Sequence, residues 1–267
     1  MQITLPDGST RKMGNKVPTH KPRGTFREFG SVPTELLIPR SEFDAVLASY
    51  QPGPMHSFLP PVKDQDGVGQ CNPTAAVTGA EAARAAQGLP GVELSAADLY
   101  ARINGGVDEG SMLEDALAEM VKAGVGTAAT CGRLWKRGEY KPASDAERAK
   151  YRFLEASLCP TFDHCFSAVA QGFFLVTGIM WYDNYTPDVD GWLPRPAGNA
   201  GGHAIFGYKP TSRNGRYGIW HQNSWGSGWG VGGRFVIPES AYDAGNVGGW
   251  YAVRAVTDEG GVIPVEV

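Results

Sequence analysis

The chain has 267 residues, 42% hydrophobic and 19% charged, enough for one large domain or two lobes sharing a cleft. Its net charge of −4 argues against a nucleic-acid partner, and its longest apolar run, Phe173–Trp181, is too short to cross a bilayer. Four cysteines are sparse for this length and fit a reducing compartment. The opening MQITLPDGSTRKMGNK has no apolar core and so does not read as a signal peptide. A cytoplasmic or virion-associated protein with no membrane partner is expected.

Residues 1–37 are read as a flexible N-terminal arm, or as a segment draped over a neighbour, because the first 32 are polar and carry Arg11, Lys12, Lys16, Lys21, Arg23 and Arg27. Ser41 is placed to cap a short helix running to Ser49, and the Pro-rich Gln51–Pro61 is a connector. An Ala-rich helix follows from about Pro73 to Gln87, with proline in its first turn and Gly88 past its end. Its small residues nearly all round predict a buried helix. Ser95 should cap a short helix through Tyr100. Ser111 and Glu114 have capping-box spacing before a helix that stops at Gly124. Helical patterns at Ser144–Leu158 and His164–Gln171 come next. The texture then changes to strands at Phe173–Trp181, Ala204–Tyr208, Tyr217–Gln222, Gly233–Ile237 and Trp250–Val256. Helices first and strands afterwards predict an α+β protein of two lobes.

The chemistry is concentrated in three stretches. Cys71 stands at the start of the Ala-rich helix, where the helix dipole favours the thiolate, the nucleophilic form of the group. The bland alternative is that Cys71 is a small buried hydrophobe. Six places earlier Gln65 offers an amide that can donate to an oxyanion. His203 follows the pair Gly201-Gly202 at the head of a strand, and Asn223 ends another strand before a turn carrying Trp225 and Trp229. A cysteine nucleophile needs a base, and that base needs an orienting partner. His203 and Asn223 can fill those roles, with Trp225 shielding their hydrogen bond from water. Trp229 is read as packing, His56 and His221 as surface or structural, and Glu114 and Asp115 as cap and solvated face. Cys159, His164 and Cys165 fit no usual zinc spacing, so no metal or other cofactor is expected.

Val62-Lys63-Asp64-Gln65 with Cys71 six places on, Leu94-Ser95 with Asp98-Leu99, Gly202-His203-Ala204, and Asn223-Ser224-Trp225-Gly226 with Gly228-Trp229-Gly230 together resemble the papain-like cysteine peptidases. The likeness runs from about residue 60 to 255 and marks a divergent member. It implies a two-lobe α+β fold, a helical lobe plus an antiparallel β-barrel-like lobe with the active-site cleft between them. The catalytic domain would take residues 38–267, with the helical lobe at about 71–158 and the β lobe at about 159–256. The resemblance implies an endopeptidase acting on peptide or protein substrates. Cys71 would be nucleophile, His203 base, Asn223 orienter of the histidine, and Gln65 oxyanion donor. It further implies that Gly110 lies where an extended substrate pairs, with Trp225 beside it in the substrate site.

The sequence departs from the family pattern in three places. Val68 replaces a cysteine, and Asn72-Pro73 replace Trp-Ala, which is expected to open one wall of the site. The first 60 residues are too short for the usual inhibitory propeptide and lack its helical motif. Two other readings compete with hydrolysis. One is a structural or peptide-binding component of a larger assembly, joined through the arm. The other is an acyl transferase using the same acyl-enzyme.

Overall fold

A computed structural model describes residues 2–5, 8–16, 25–50, 59–136, 138–244, 246–254 and 256–257. The connector expected at Gln51–Pro61 and His56 lie largely or wholly outside the described residues. The chain opens with an antiparallel ribbon, β1 (Gln2–Thr4) and β2 (Thr10–Lys12). A 3₁₀ turn, Arg40–Glu42, leads into α1 (Phe43–Ser49). The helical part holds α2 (Cys71–Ala86), α3 (Ala96–Ile103), α4 (Leu113–Lys122), α5 (Ala128–Cys131) and α6 (Asp145–Arg148). After it come β3 (Ser157–Leu158), α7 (Phe162–Ala170), β4 (Phe174–Tyr182), β5 (Ala200–Arg213), β6 (Arg216–Gln222), β7 (Arg234–Pro238), α8 (Glu239–Ala244) and β8 (Asn246–Val253).

Strands β3 to β8 form one antiparallel sheet in the order β3-β8-β4-β5-β6-β7, separate from the β1–β2 ribbon. Among the described residues its edge strands β3 and β7 do not pair with each other, so the β part of the expected two-lobe α+β fold is not a closed barrel. Side chains alternate across it. Phe174 and Val176 of β4, Ala204 and Phe206 of β5, and Tyr251 and Val253 of β8 face a core shared with α2, α3 and α4. Their neighbours Leu175, Ile179, Ile205, Trp250 and Ala252 face a second core with α1, α7 and an aromatic cluster. Both faces are therefore covered, which is why β4 reads FLVTGIMWY without polar alternation.

Helix α2 is buried from Cys71 to Arg84. Its alanines and Gly79 let its backbone approach β4 and β8 closely enough for a β-carbon on Gly79 to meet Val176 and Val253 at 3.5 Å. Elsewhere local signals were overruled. Ser41 makes no cap, and α1 starts two residues later. Ser111 caps nothing either; α4 has Met112 at its N-cap without a side-chain bond. Ser144 does cap, accepting from the Glu147 N–H, but the helix stops at Arg148. Beyond it the Phe153 N–H turns to the Met120 carbonyl, and the Arg152 N–H to Thr257 Oγ1. Glu114 and Asp115 are buried, not solvated. His221 is fully buried between the Ile219 carbonyl at 2.9 Å and the Tyr242 hydroxyl at 3.1 Å. Among the described residues no helix is long and apolar enough to cross a membrane.

Candidate active site

Cys71 is the first residue of α2, at its electropositive end. The loop before it turns through Asp66 at φ 42° and Gly67 at φ 74°, which aims the Gln65 side chain back toward the helix start. This loop is pinned to the segment after β6. The Gln65 N–H donates to the Ser224 carbonyl, Gly226 N–H to the Lys63 carbonyl, and Asp64 pairs with Trp225. Lys63 Nζ meets the buried Glu81 carboxylate at 2.8 Å, fixing the same loop to α2. The Ser224 hydroxyl donates to Gln65 Oε1 at 2.6 Å, so the amide must present its N–H groups on the other side. Ser224 thus positions the amide, a role whose only sign in the sequence is its place in the Asn-Ser-Trp-Gly stretch.

His203 lies on β5, and its Nε2 is 2.8 Å from Asn223 Oδ1. That oxygen also accepts the Ser224 N–H at 2.8 Å, which fixes the carboxamide's orientation. Nε2 must then carry the ring proton, and Nδ1 keeps a free lone pair. Nδ1 has no hydrogen-bond partner among the described residues. Trp225 stacks on the imidazole at 4.9 Å and 29°, and Trp181 meets it edge-on at 5.3 Å. Trp229 packs into the same cluster against Trp181 and Phe235. The Cys71 sulfur faces the N–H of Ala204, one residue after His203, so α2 and β5 bring the sulfur and the histidine strand together.

The cleft between them is occupied by the chain's own N-terminal segment. The Gly14 N–H faces the Cys71 sulfur. On one side of the cleft the Gly14 carbonyl accepts from the Ser111 N–H at 2.8 Å, and the Lys16 N–H donates to the Ser111 carbonyl at 2.9 Å. On the other the Asn15 N–H donates to the Gly202 carbonyl at 3.0 Å. Gln65 Nε2 donates to the Lys12 carbonyl at 2.8 Å and to the Val68 carbonyl at 2.8 Å. Backbones touch here: β-carbons on Gly14, Gly110 and Gly202 would collide with the carbonyl oxygens of Gly69, Gly14 and Asn15 respectively. Gly110 therefore lies against an extended chain, although that chain pairs through Ser111, and Gly110's own N–H goes to the Tyr100 hydroxyl. Over its described residues the arm lies against the body through these contacts.

No family model matches the chain, and no curated protein matches it in sequence. Solved structures do match. Xylellain, a cysteine protease from Xylella fastidiosa, aligns at TM-score 0.70 and 20% identity over 97% of this chain and 98% of its own. ProCathepsin B S9 from Trypanosoma congolense aligns at TM-score 0.63 and 14% identity over 91% of this chain and 86% of its own. The bromelain protease from Ananas comosus, solved with the E64 inhibitor, aligns at TM-score 0.59 and 17% identity over 76% and 96%. The fold is papain-like. With xylellain the likeness takes in the N-terminal segment as well as the two lobes.

Within this papain-like frame two expectations need correction. The wall expected to open at Asn72 is closed: Asn72 is buried, and its Nδ2 donates to the Ser111 carbonyl at 2.7 Å and lies 3.2 Å from its hydroxyl. Asn72 thus holds the strand on which the arm pairs. The thiolate expected at the helix start is not favoured while the arm is seated. Burial pushes the Cys71 thiol up to about 11, against the N–H groups around it. Burial likewise pushes His203 down to about 4, against its bond to Asn223. Desolvation outweighs the helix dipole because both groups are sealed from water. Away from this cleft, His164 meets Thr161 Oγ1 at 2.7 Å and Glu28 at 3.4 Å. No group of three His, Cys, Asp or Glu residues is placed to hold a metal among the described residues.

The two buried histidines make stability depend on pH. His203 at about 4 and His221 at about 3 both lie below the ordinary 6.5, each chiefly through burial. Between those values the unfolded chain binds protons that the folded chain refuses. Their contribution is complete above pH 6.5 and is lost as pH falls toward 4 and then 3, at up to about 1.4 kcal/mol per pH unit for each histidine. Urea unfolding from pH 7 to 4.5 should show that slope. A His221→Gln variant should lose about half of it, and an unchanged slope would count against a buried neutral His221.

Proposed function

We propose that the chain is a cysteine endopeptidase held latent by its own N-terminal segment. The observation that carries this is the His203 ring: Nε2 tied to a carboxamide whose orientation is fixed, Nδ1 left with its lone pair, and a sulfur at a helix N-terminus beside the same strand. When the segment leaves, water returns and the sulfur can pass its proton to Nδ1, forming the thiolate–imidazolium pair. The thiolate attacks the carbonyl carbon of a peptide bond. The Cys71 N–H and the Gln65 amide hold the oxyanion, and the Gln65 N–H now given to Lys12 becomes free for it. His203 protonates the leaving amine as the tetrahedral adduct collapses to a thioester, then takes a proton from water as that water releases the acid. Asn223 keeps the ring in the required tautomer, and Trp225 keeps water off the bond between them.

An epoxide or iodoacetamide probe tests the reading together with hydrolysis of a peptide mixture. A full-length Gly14→Val chain should be labelled at Cys71 faster than a free thiol at pH 6 and should cleave peptides. Cys71→Ala in that background should abolish both. Peptide hydrolysis that survives Cys71→Ala would end the assignment. A folded, open chain that binds peptide without labelling would favour the structural component. Products joined to an added amine, in place of free acids, would favour acyl transfer.

A further inference from the structure

The arm residues beside the sulfur carry their own information about what the cleft accepts. Arg11 is buried, although it lies on a two-stranded ribbon at the surface. It forms part of the wall of a surface cavity of about 720 Å³, together with Asp64, Trp225, Trp229, Pro187 and Asp188. There it meets Asp64 Oδ2 at 2.7 Å, while its buried Nε has no partner among the described residues. Asp64 Oδ1 is taken by the Asp66 N–H at 2.8 Å, so Arg11 is the guest of Oδ2. Asp188, the other carboxylate lining the cavity, is already paired with Arg213 at 2.8 Å. Lys12 turns to the opposite wall, to the carbonyl of Asp108 and to its Oδ2 at 3.2 Å. Asp108 keeps the Tyr100 hydroxyl and the Gly69 N–H on Oδ1 when Lys12 leaves. When the arm leaves, each of the two carboxylates gives up the basic partner on its Oδ2, and of the two it is Asp64 that lines the cavity beside Trp225.

We propose, on the peptidase reading above, that Asp64 is a specificity-determining residue and that the cavity it shares with Trp225 takes an arginine or lysine of the substrate. The side follows from the chemistry. The leaving amine must lie beside His203 to receive its proton, and Trp225, which stacks on His203, lines this cavity. The basic residue therefore belongs to the leaving-group side. Arg11 precedes Gly14, the residue at the sulfur, by three positions yet lies on the leaving-group side, so the arm crosses the site in the direction opposite to a substrate, and by distance along the chain the preferred residue falls within about the first three after the scissile bond. Substrates are then polypeptides with a basic residue shortly after the cleavage point, and acidic residues there are rejected by the Asp64 charge.

The test uses the full-length Gly14→Val chain and peptides differing only in those three positions. Arginine or lysine should raise kcat/KM about tenfold over leucine, the effect of one charge-assisted contact at a partly solvated site, and glutamate should fall below leucine. Asp64→Asn should bring the ratio to within about twofold, and Asp108→Asn should change it less. Equal rates for all peptides, or the same ratio in Asp64→Asn, overturn the proposal. A binding measurement decides it without catalysis. A Gly14→Val, Cys71→Ala chain is titrated with the peptide GSTRKMGNK, the sequence of residues 8–16, and with the same peptide carrying Arg11→Gln. The second should bind about tenfold more weakly, and Asp64→Asn should erase the difference. Equal binding of the two peptides refutes the role of Asp64 whatever the rates do. Absent hydrolysis and absent labelling of Cys71, beside discriminating binding, would sink the peptidase reading alone.

Discussion

Replacing Gly14 by valine in the full-length chain should raise the rate of Cys71 alkylation at pH 7 by roughly 100-fold. The residue has no chemical role of its own; the effect comes from space. Its α-carbon passes so close to Gly69 that any β-carbon would strike the Gly69 carbonyl, and its carbonyl occupies the room that a side chain on Gly110 would need. Neither backbone can retreat, because Gly69 precedes the start of α2 and donates its N–H to Asp108 at 2.8 Å. A valine must therefore unseat the segment. With it go the Gly14 and Asn15 bonds to Ser111 and Gly202, and water reaches Cys71 and His203. The burial that holds the thiol near 11 and the imidazole near 4 is lost. At pH 7 a thiol moved from that range to its ordinary one gains two or more orders of magnitude in thiolate fraction, and the helix terminus and His203 add to that. Mass spectrometry of the labelled peptide, with circular dichroism to show the fold intact, reads the result. A folded valine variant labelled no faster than the parent would mean that the segment does not control access to the sulfur.

Why the site was legible while its cover was not is a matter of range. Cys71, His203 and Asn223 each stand at a local signal: a helix start with proline in its first turn, a glycine pair before an apolar strand, a strand end entering a Gly-rich turn. Such signals survive folding because neighbours in sequence create them. The segment from Arg11 to Lys16 has no periodicity and is held by partners far along the chain, among them Ser111, Gly202, Asp64 and Asp108. Nothing in its own composition announces them. The failed signals obey the same logic. Ser111 has capping-box spacing, but its N–H, carbonyl and hydroxyl face Gly14, Lys16 and Asn72, and its strand is drawn into the cleft. The helical pattern after Ser144 gives way beyond Arg148, where the Tyr151 carbonyl accepts from the Val125 N–H and the Arg152 and Phe153 N–H groups donate to Thr257 Oγ1 and the Met120 carbonyl. The sheet's failure to close depends on which strands become edges, and strand order is set by pairings that hydrophobic alternation does not encode.

Gln65→Ala should separate two roles that one amide now plays, by moving two measurements in opposite directions. Gln65 is fully buried, with Oε1 held by the Ser224 hydroxyl and Nε2 shared between the Val68 and Lys12 carbonyls. In the Gly14→Val background, where the Lys12 partner is gone, losing this donor should lower kcat by roughly 10²–10³ with little change in KM, the signature of a contact made to the oxyanion and not to the ground state. In the parent chain the same substitution removes one of the arm's anchors, so Cys71 alkylation should become faster, by a factor of about 5 for one neutral hydrogen bond. A purely structural Gln65 would instead depress folding and both rates together, through the Ser224 hydroxyl and Val68 carbonyl left without partners, at about 1–3 kcal/mol each. Gln65→Glu sharpens the contrast. It keeps the volume and the Ser224 bond, but puts an acceptor where the oxyanion must be received, so its kcat should fall at least as far as that of the alanine variant. Retention of kcat within about threefold in Gln65→Glu would remove Gln65 from the oxyanion site.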